Sequence, residues 1–321
     1  MGSENFQPCM WLANGHLQTW AGALFPRGHQ QTTLVQIPLP DGDTLELHEL
    51  EAPKGAPILF LLHGLEGSVQ SAYIQGMLQY AKAHQLRAVV PHLRGSSGRI
   101  NHIPQSYHAG KTLDVEIALN TIHTRYPGVA CVAVGYSLGA NLLLKYLGEQ
   151  PTQQYIEAAV AVCAPFDLAA TAARLNQGVG KIYEHAFVAS LKQMIAYKLA
   201  LKMPMPVDWA ELANIKTMHD FDDKVTAPLH NFLNAKDYYA QSSCLQFLPH
   251  IQIPTLLINA EDDPIIPKEV IPKRTELNAQ IKLDLQQYGG HVGFISCQGV
   301  GKLHYWLEER IPRFLAPNLI I

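Results

Sequence analysis

Five largely apolar runs constrain this chain more than any other feature of it. They are ILFLLHG (58–64), RAVVPHLRG (87–95), VACVAVGYS (129–137), AAVAVCAP (158–165) and IPTLLINAEDDP (253–264). A strand with one wet face alternates polar and apolar residues, and these runs do not, so they read as strands covered on both faces. Helix-like stretches at 71–85, 112–126 and 139–149 separate the first four. Strands alternating with helices imply βαβ units, and therefore a parallel sheet with helices packed on it. TTLVQIPLPDGDTLELHEL (32–50) adds a hairpin around an Asp-Gly turn. IKLDLQQYGGHVGF (281–294) supplies a further strand, and KLHYWLEERIPRFL (302–315) a closing helix.

The alternation stops between Phe166 and His250. No buried strand is read there. HAFVASLKQMIAYKLALKM (185–203) instead has apolar residues at the spacing of an amphipathic helix. The expected organisation is an α/β core from residues 1–165 and 251–321, with a mainly helical cap inserted at 166–250. Such an insertion would lie over the C-terminal ends of the strands.

Bulk properties narrow the function. The chain has 321 residues, 48% hydrophobic and 16% charged, with a formal charge of −3. That suits a packed globular protein and excludes a nucleic-acid partner. No apolar stretch reaches the ~18 residues needed to span a bilayer. The N-terminus carries no signal-peptide pattern, so no integral membrane segment is expected and the expected location is cytoplasmic. Cys9, Cys131, Cys163, Cys244 and Cys297 are odd in number and widely spaced. That argues against disulfides and zinc ribbons, with Cys131 and Cys163 read as small core residues. No G-x-G-x-x-G follows a strand, and neither a P-loop nor an H-E-x-x-H occurs. No cofactor and no metal are expected, and nothing in the sequence specifies an oligomeric state.

The chemistry-bearing motif is Gly135-Tyr136-Ser137-Leu138-Gly139. It ends a strand and opens a helix, the context that G-x-S-x-G requires. The serine of such an elbow stands exposed above the sheet, and the flanking glycines let strand and helix approach. A free serine is a weak nucleophile and needs a base, which in turn needs an orienting acid. The chain order for this elbow is Ser, then Asp or Glu, then His. After Ser137, one strand ends in Glu261-Asp262-Asp263 and another in Gly289-Gly290-His291. His291 is the candidate base. Asp263 and Asp262 compete for the acid, with Glu261 third. The backbone N–H of Leu138, and that of Leu65 in the loop HGLEGS (63–68), are the candidate donors to a developing oxyanion. His63 reads as a loop organiser, and Arg94-Gly95 as a turn.

Taken together, HGLEG, GYSLGAN, EDDP and GGHVGF resemble the α/β-hydrolase superfamily. NGHLQT (14–19), RGSSG (94–98), FDDKVTAPLHNF (221–232) and DYY (237–239) narrow the resemblance to the YheT-like hydrolases, related to acylglycerol lipases and esterases. It covers residues 6 to 315. It implies an α/β-hydrolase fold and a triad of Ser137, Asp263 and His291, the family pattern selecting the second aspartate. It also implies hydrolysis of small-molecule carboxylic esters, short-chain or lipid-derived, without a cofactor. The same triad would serve an acyltransferase or thioesterase, whereas a non-catalytic binding protein of this fold would usually lack a triad member. The resemblance assigns no role to NGHLQT. His16 is expected to help fold the N-terminal arm against the body.

Overall fold

The computed structural model describes residues 5–297 and 302–319. The N-terminal arm contains helix α1 (Gly15–Leu24). The expected hairpin is β1 (Thr33–Pro38) paired antiparallel with β2 (Thr44–Leu50). Then follow β3 (Ile58–Leu62), α2 (Ala72–Ala83), β4 (Arg87–His92), α3 (Thr112–Arg125), β5 (Cys131–Tyr136), α4 (Leu138–Glu149) and β6 (Ala158–Val162). A helical stretch contains α5 (Leu168–Leu175), α6 (Gly180–Ala200), α7 (Trp209–Asn214), α8 (Met218–Phe221), α9 (Ala227–Leu229) and α10 (Ala235–Ser242). Strands β7 (Thr255–Ala260) and β8 (Ile281–Gln286) return to the sheet. A small ribbon of β9 (Ile295–Cys297) and β10 (Leu303–Tyr305) precedes α11 (Leu307–Leu315).

The sheet has the order β1-β2-β4-β3-β5-β6-β7-β8. It is parallel from β4 through β8 and antiparallel at the β1–β2–β4 edge. This is the expected mostly parallel α/β sheet. The continuous apolar runs have a direct cause. Ile58, Phe60 and Leu62 of β3 face the layer that includes α3 and α4, while Leu59 and Leu61 face α2 and α11. All five are buried. Burying each such side chain stabilises the fold by roughly 1.5–3 kcal/mol before entropy is counted.

Val188, Leu191 and Ile195 of α6 form a separate apolar cluster with Leu212, Ile215 and Phe221. Helix α6 begins at Gly180, five positions before the stretch that periodicity marked out (185–203). The early turns bury Tyr183 and Glu184, whose polar ends find partners outside the helix and obscure the apolar repeat. After α10, Cys244 and Leu248 join the main core.

The cysteine reading needs correction. Cys9 and Cys297 form a disulfide across 288 residues of sequence. Wide spacing gave no hint of it because the N-terminal arm folds back onto β9. Cys131 and Cys163 are buried and free, as is Cys244. Among the described residues, no helix is long and apolar enough to cross a membrane.

Candidate active site

Strand β5 delivers Ser137 to its C-terminal end, and α4 starts at the next residue. Ser137 has φ 52° and ψ −121°. A non-glycine residue in such a region costs about 1–3 kcal/mol and persists only where its surroundings impose it. Those surroundings are visible. The Ser137 N–H donates to Val162 O at 2.8 Å, and its carbonyl accepts from Ala140 and Asn141. A Cβ on Gly135 would lie 2.5 Å from Gly139 O, and one on Gly139 would lie 2.5 Å from Leu62 O and His63 O. Only glycine lets β5, α4 and the end of β3 close together around the serine.

His291 Nε2 lies 2.8 Å from Ser137 Oγ, and His291 Nδ1 lies 2.8 Å from Asp263 Oδ2. The other Asp263 oxygen accepts from the N–H groups of Ile265 at 2.8 Å and Ile266 at 3.0 Å. The neighbouring carboxylates take other positions. Asp262 Oδ1 accepts from Gly290 N–H at 2.8 Å, and burial raises its pKa. Glu261 is exposed. The two aspartates diverge because successive residues leaving β7 point in different directions.

Leu65 and Leu138 both border the cavity that contains Ser137 and His291. Among the described residues, no group accepts a hydrogen bond from either of their N–H groups. Leu138 N–H is one of the unpaired donors at the start of α4, where the helix dipole adds positive potential. The Leu65 loop is braced on all sides. Gly64 N–H donates to Tyr73 Oη at 3.0 Å, and Glu66 N–H to Tyr107 Oη at 3.0 Å. The Glu66 carboxylate accepts from Tyr107 Oη and from Ser190 Oγ of α6. His63 is fully buried, and burial pushes its pKa down to about 4. Its Nε2 accepts from Leu93 N–H at 3.2 Å, so it organises the loop in its neutral form. Arg94 and Gly95 form the expected turn, and the Arg94 side chain pairs with Asp114 and Asp41 and borders a different cleft.

The cavity has an empty volume of about 960 Å³, part of it open to solvent. Its walls are mainly apolar, from Leu65 and Leu138 on the core side to Phe187, Leu191 and Met194 on α6. Asp222, His230 and Tyr239 add polar groups. Asp222 is buried, accepts from Thr226 Oγ1 and Tyr239 Oη at 2.7 Å each, and has its pKa pushed up to about 6 by burial. Among the described residues, one group has metal-ligand proximity: Cys163, Asp263 and His291, with ligand atoms within 4.8 Å of one another. Burial holds the Cys163 thiol well above its usual pKa, and Asp263 and His291 already bind each other, so the set is a poor cation site.

Sequence reasoning missed the contribution of α1. His16 Nδ1 lies 2.9 Å from Tyr183 Oη of α6, so it joins the arm to the helical stretch rather than to the α/β body. Thr19 and Gln18 reach the segment around His291. The one local signal was Asn14, which caps α1 by accepting from His16 and Leu17 N–H. Such a cap marks a helix start but says nothing of what the helix touches.

The comparisons agree with this fold. The family description "alpha/beta hydrolase fold" matches residues 57–296. The Escherichia coli (strain K12) protein YheT, named as a candidate esterase, is 39% identical over 99% of this chain and 94% of its own length. A Saccharomyces cerevisiae monoacylglycerol lipase is 29% identical over 83% of this chain but only 60% of its own length. An esterase structure from Pyrococcus furiosus superposes with a TM-score of 0.58 at 17% identity, covering 89% of this chain and 90% of that one, which supports the fold. The chain therefore belongs to the α/β-hydrolase family, as a YheT-like member of esterase/lipase type.

Proposed function

We propose that this protein hydrolyses carboxylic esters through an acyl-enzyme on Ser137. One observation carries the reading: Asp263, His291 and Ser137 form a continuous hydrogen-bonded line, with the serine raised on a left-handed residue at the edge of the cavity. His291 takes the Ser137 proton as Oγ attacks the ester carbonyl. Asp263 keeps the imidazole proton on Nδ1 and stabilises the imidazolium that forms. The N–H groups of Leu65 and Leu138 receive the negative charge on the carbonyl oxygen, and one such donor is worth about 10²–10³ in rate. His291 then protonates the departing alcohol and activates the water that frees the acid.

The apolar cavity supports an ester with a hydrocarbon acyl chain lying against α6. The names of the E. coli and yeast relatives favour simple esters and acylglycerols as the substrate class. Residues 166–250 act as the cap of this site. Ser137→Ala tests the core of the reading. Turnover of p-nitrophenyl esters and covalent labelling by a fluorophosphonate should both vanish. Labelling that survives the substitution would remove Ser137 as the nucleophile.

A further inference from the structure

Helix α1 lies outside the stretch that matches the general family description, which begins at residue 57. It nevertheless makes backbone-to-backbone contact with the segment after β7 that carries Asp262 and with the loop that carries His291. A Cβ on Gly15 would lie 1.8 Å from Asp262 O, and one on Gly22 would lie 2.9 Å from the Gly293 Cα. From the other side, a Cβ on Gly290 would lie 2.3 Å from Gly15 O, and one on Gly293 would lie 2.4 Å from Gln18 O. Helix and loop are as close as glycine permits.

The loop's own backbone explains why it needs support. Val292 and Phe294 have φ 61° and 47°, each a strained position for a side-chain-bearing residue. Among its N–H groups, those of Gly293 and Phe294 donate to Gly289 O within the loop. The N–H of Gly290 goes to Asp262, and that of Val292 to Cys163 Sγ at 3.4 Å. Those of His291 and Ile295 both go to α1. His291 N–H donates to Thr19 Oγ1 at 2.9 Å, and the Thr19 hydroxyl donates its own proton to Gly15 O at 2.7 Å. Ile295 N–H donates to Gln18 Oε1 at 2.8 Å, while Gln18 Nε2 donates to Ile295 O at 2.9 Å and Leu12 O at 3.1 Å. Gln18 is fully buried.

We propose that α1 is the positioning element for His291, with Thr19 fixing the backbone of the histidine itself and Gln18 anchoring the end of its loop. The proposal rests on the reading of His291 as the base acting on Ser137. Thr19 touches no reacting atom. It acts by setting where the imidazole stands between Asp263 and Ser137. Through His16 and Tyr183, whose rings stack at 5.8 Å, the same helix is tied to α6, whose later residues Phe187, Leu191 and Met194 line the cavity.

The test compares Thr19→Val with Thr19→Ser in the full chain. Valine keeps the shape but cannot accept from His291 N–H, whereas serine can. Thr19→Val should lower kcat for a p-nitrophenyl ester on the order of 10–100-fold, the scale of a small misplacement of a catalytic group, with KM little changed. Thr19→Ser should restore kcat. Hydrogen–deuterium exchange should quicken in residues 289–295 of Thr19→Val and not in Thr19→Ser. An unchanged kcat in Thr19→Val would overturn the proposal, as would a lowered kcat with unchanged loop exchange, or a serine variant as impaired as the valine one. A wild-type protein that neither turns over esters nor reacts with a fluorophosphonate would remove the base role of His291 itself. Loop exchange would then show separately whether α1 braces that segment.

Discussion

Replacing Asp263 with asparagine separates the orienting role of this carboxylate from mere occupancy of its site. Both Ile265 and Ile266 donate their N–H groups to Oδ1, while Oδ2 faces His291 Nδ1. An asparagine can place its NH₂ at either position. At the Oδ1 position it would oppose two buried N–H donors and leave both unpaired, at about 1–3 kcal/mol each, or roughly 2–6 kcal/mol together. At the Oδ2 position it keeps both of those bonds and donates to Nδ1. The second arrangement wins. Nδ1 must then be the unprotonated nitrogen, so Nε2 carries the proton and cannot accept one from Ser137. The variant should fold, because its backbone acceptor is intact. Its kcat/KM should fall on the order of 10⁴-fold, the scale of a triad held in the wrong tautomer. That fall equals about 5 kcal/mol of barrier. Asp262→Asn provides the contrast, since an amide oxygen can still accept from Gly290 N–H. It should cost less than about tenfold, or one hydrogen bond's worth. The assay is p-nitrophenyl ester turnover beside fluorophosphonate labelling rate, with a urea melt to verify folding. A folded Asp263→Asn protein within tenfold of wild type would refute the reasoning.

Acid should unfold this protein by way of its buried histidines. Burial holds His63 at about 4, and holds His92 and His230 at about 3, all below the ordinary 6.5. The unfolded chain therefore binds protons between pH 6.5 and 4 that the native state refuses, so their contribution is complete above pH 6.5 and is lost as pH falls. Asp222, pushed up to about 6, works in the opposite sense from pH 6 downward, as do Asp262 and Glu308, which burial also raises, but burial lowers His108 and His48 too, so five histidines outweigh three carboxyls. The urea midpoint should drop from pH 7 to pH 5 by the equivalent of a few kcal/mol, and a midpoint that holds or rises would contradict the assignment. Leu191→Trp should fill the cavity from the α6 side. Turnover of long-chain p-nitrophenyl esters should fall about tenfold or more while the acetate is spared, and equal loss for both would move the acyl chain elsewhere.

The sequence alone determined whatever depends on neighbours along the chain. The unalternating runs at 58–64, 129–137, 158–165 and 253–264 required strands covered on both faces, and β3, β5, β6 and β7 are such strands. Gly135-Tyr136-Ser137-Leu138-Gly139 was legible because an elbow needs its glycines one turn apart on the same chain. Ser137, Asp263 and His291 were readable as candidates because each follows a strand that can be recognised locally. Their hydrogen bonds were not. The choice between Asp263 and Asp262 turned on the direction each side chain takes after β7, which periodicity does not encode. Thr19 meets His291 across 272 residues, and Cys9 meets Cys297 across 288. Such contacts leave no local pattern, because the groups they satisfy belong to another part of the chain. Only the packed structure, by closing an N-terminal helix onto a strained loop, decides which side chain a buried N–H will find.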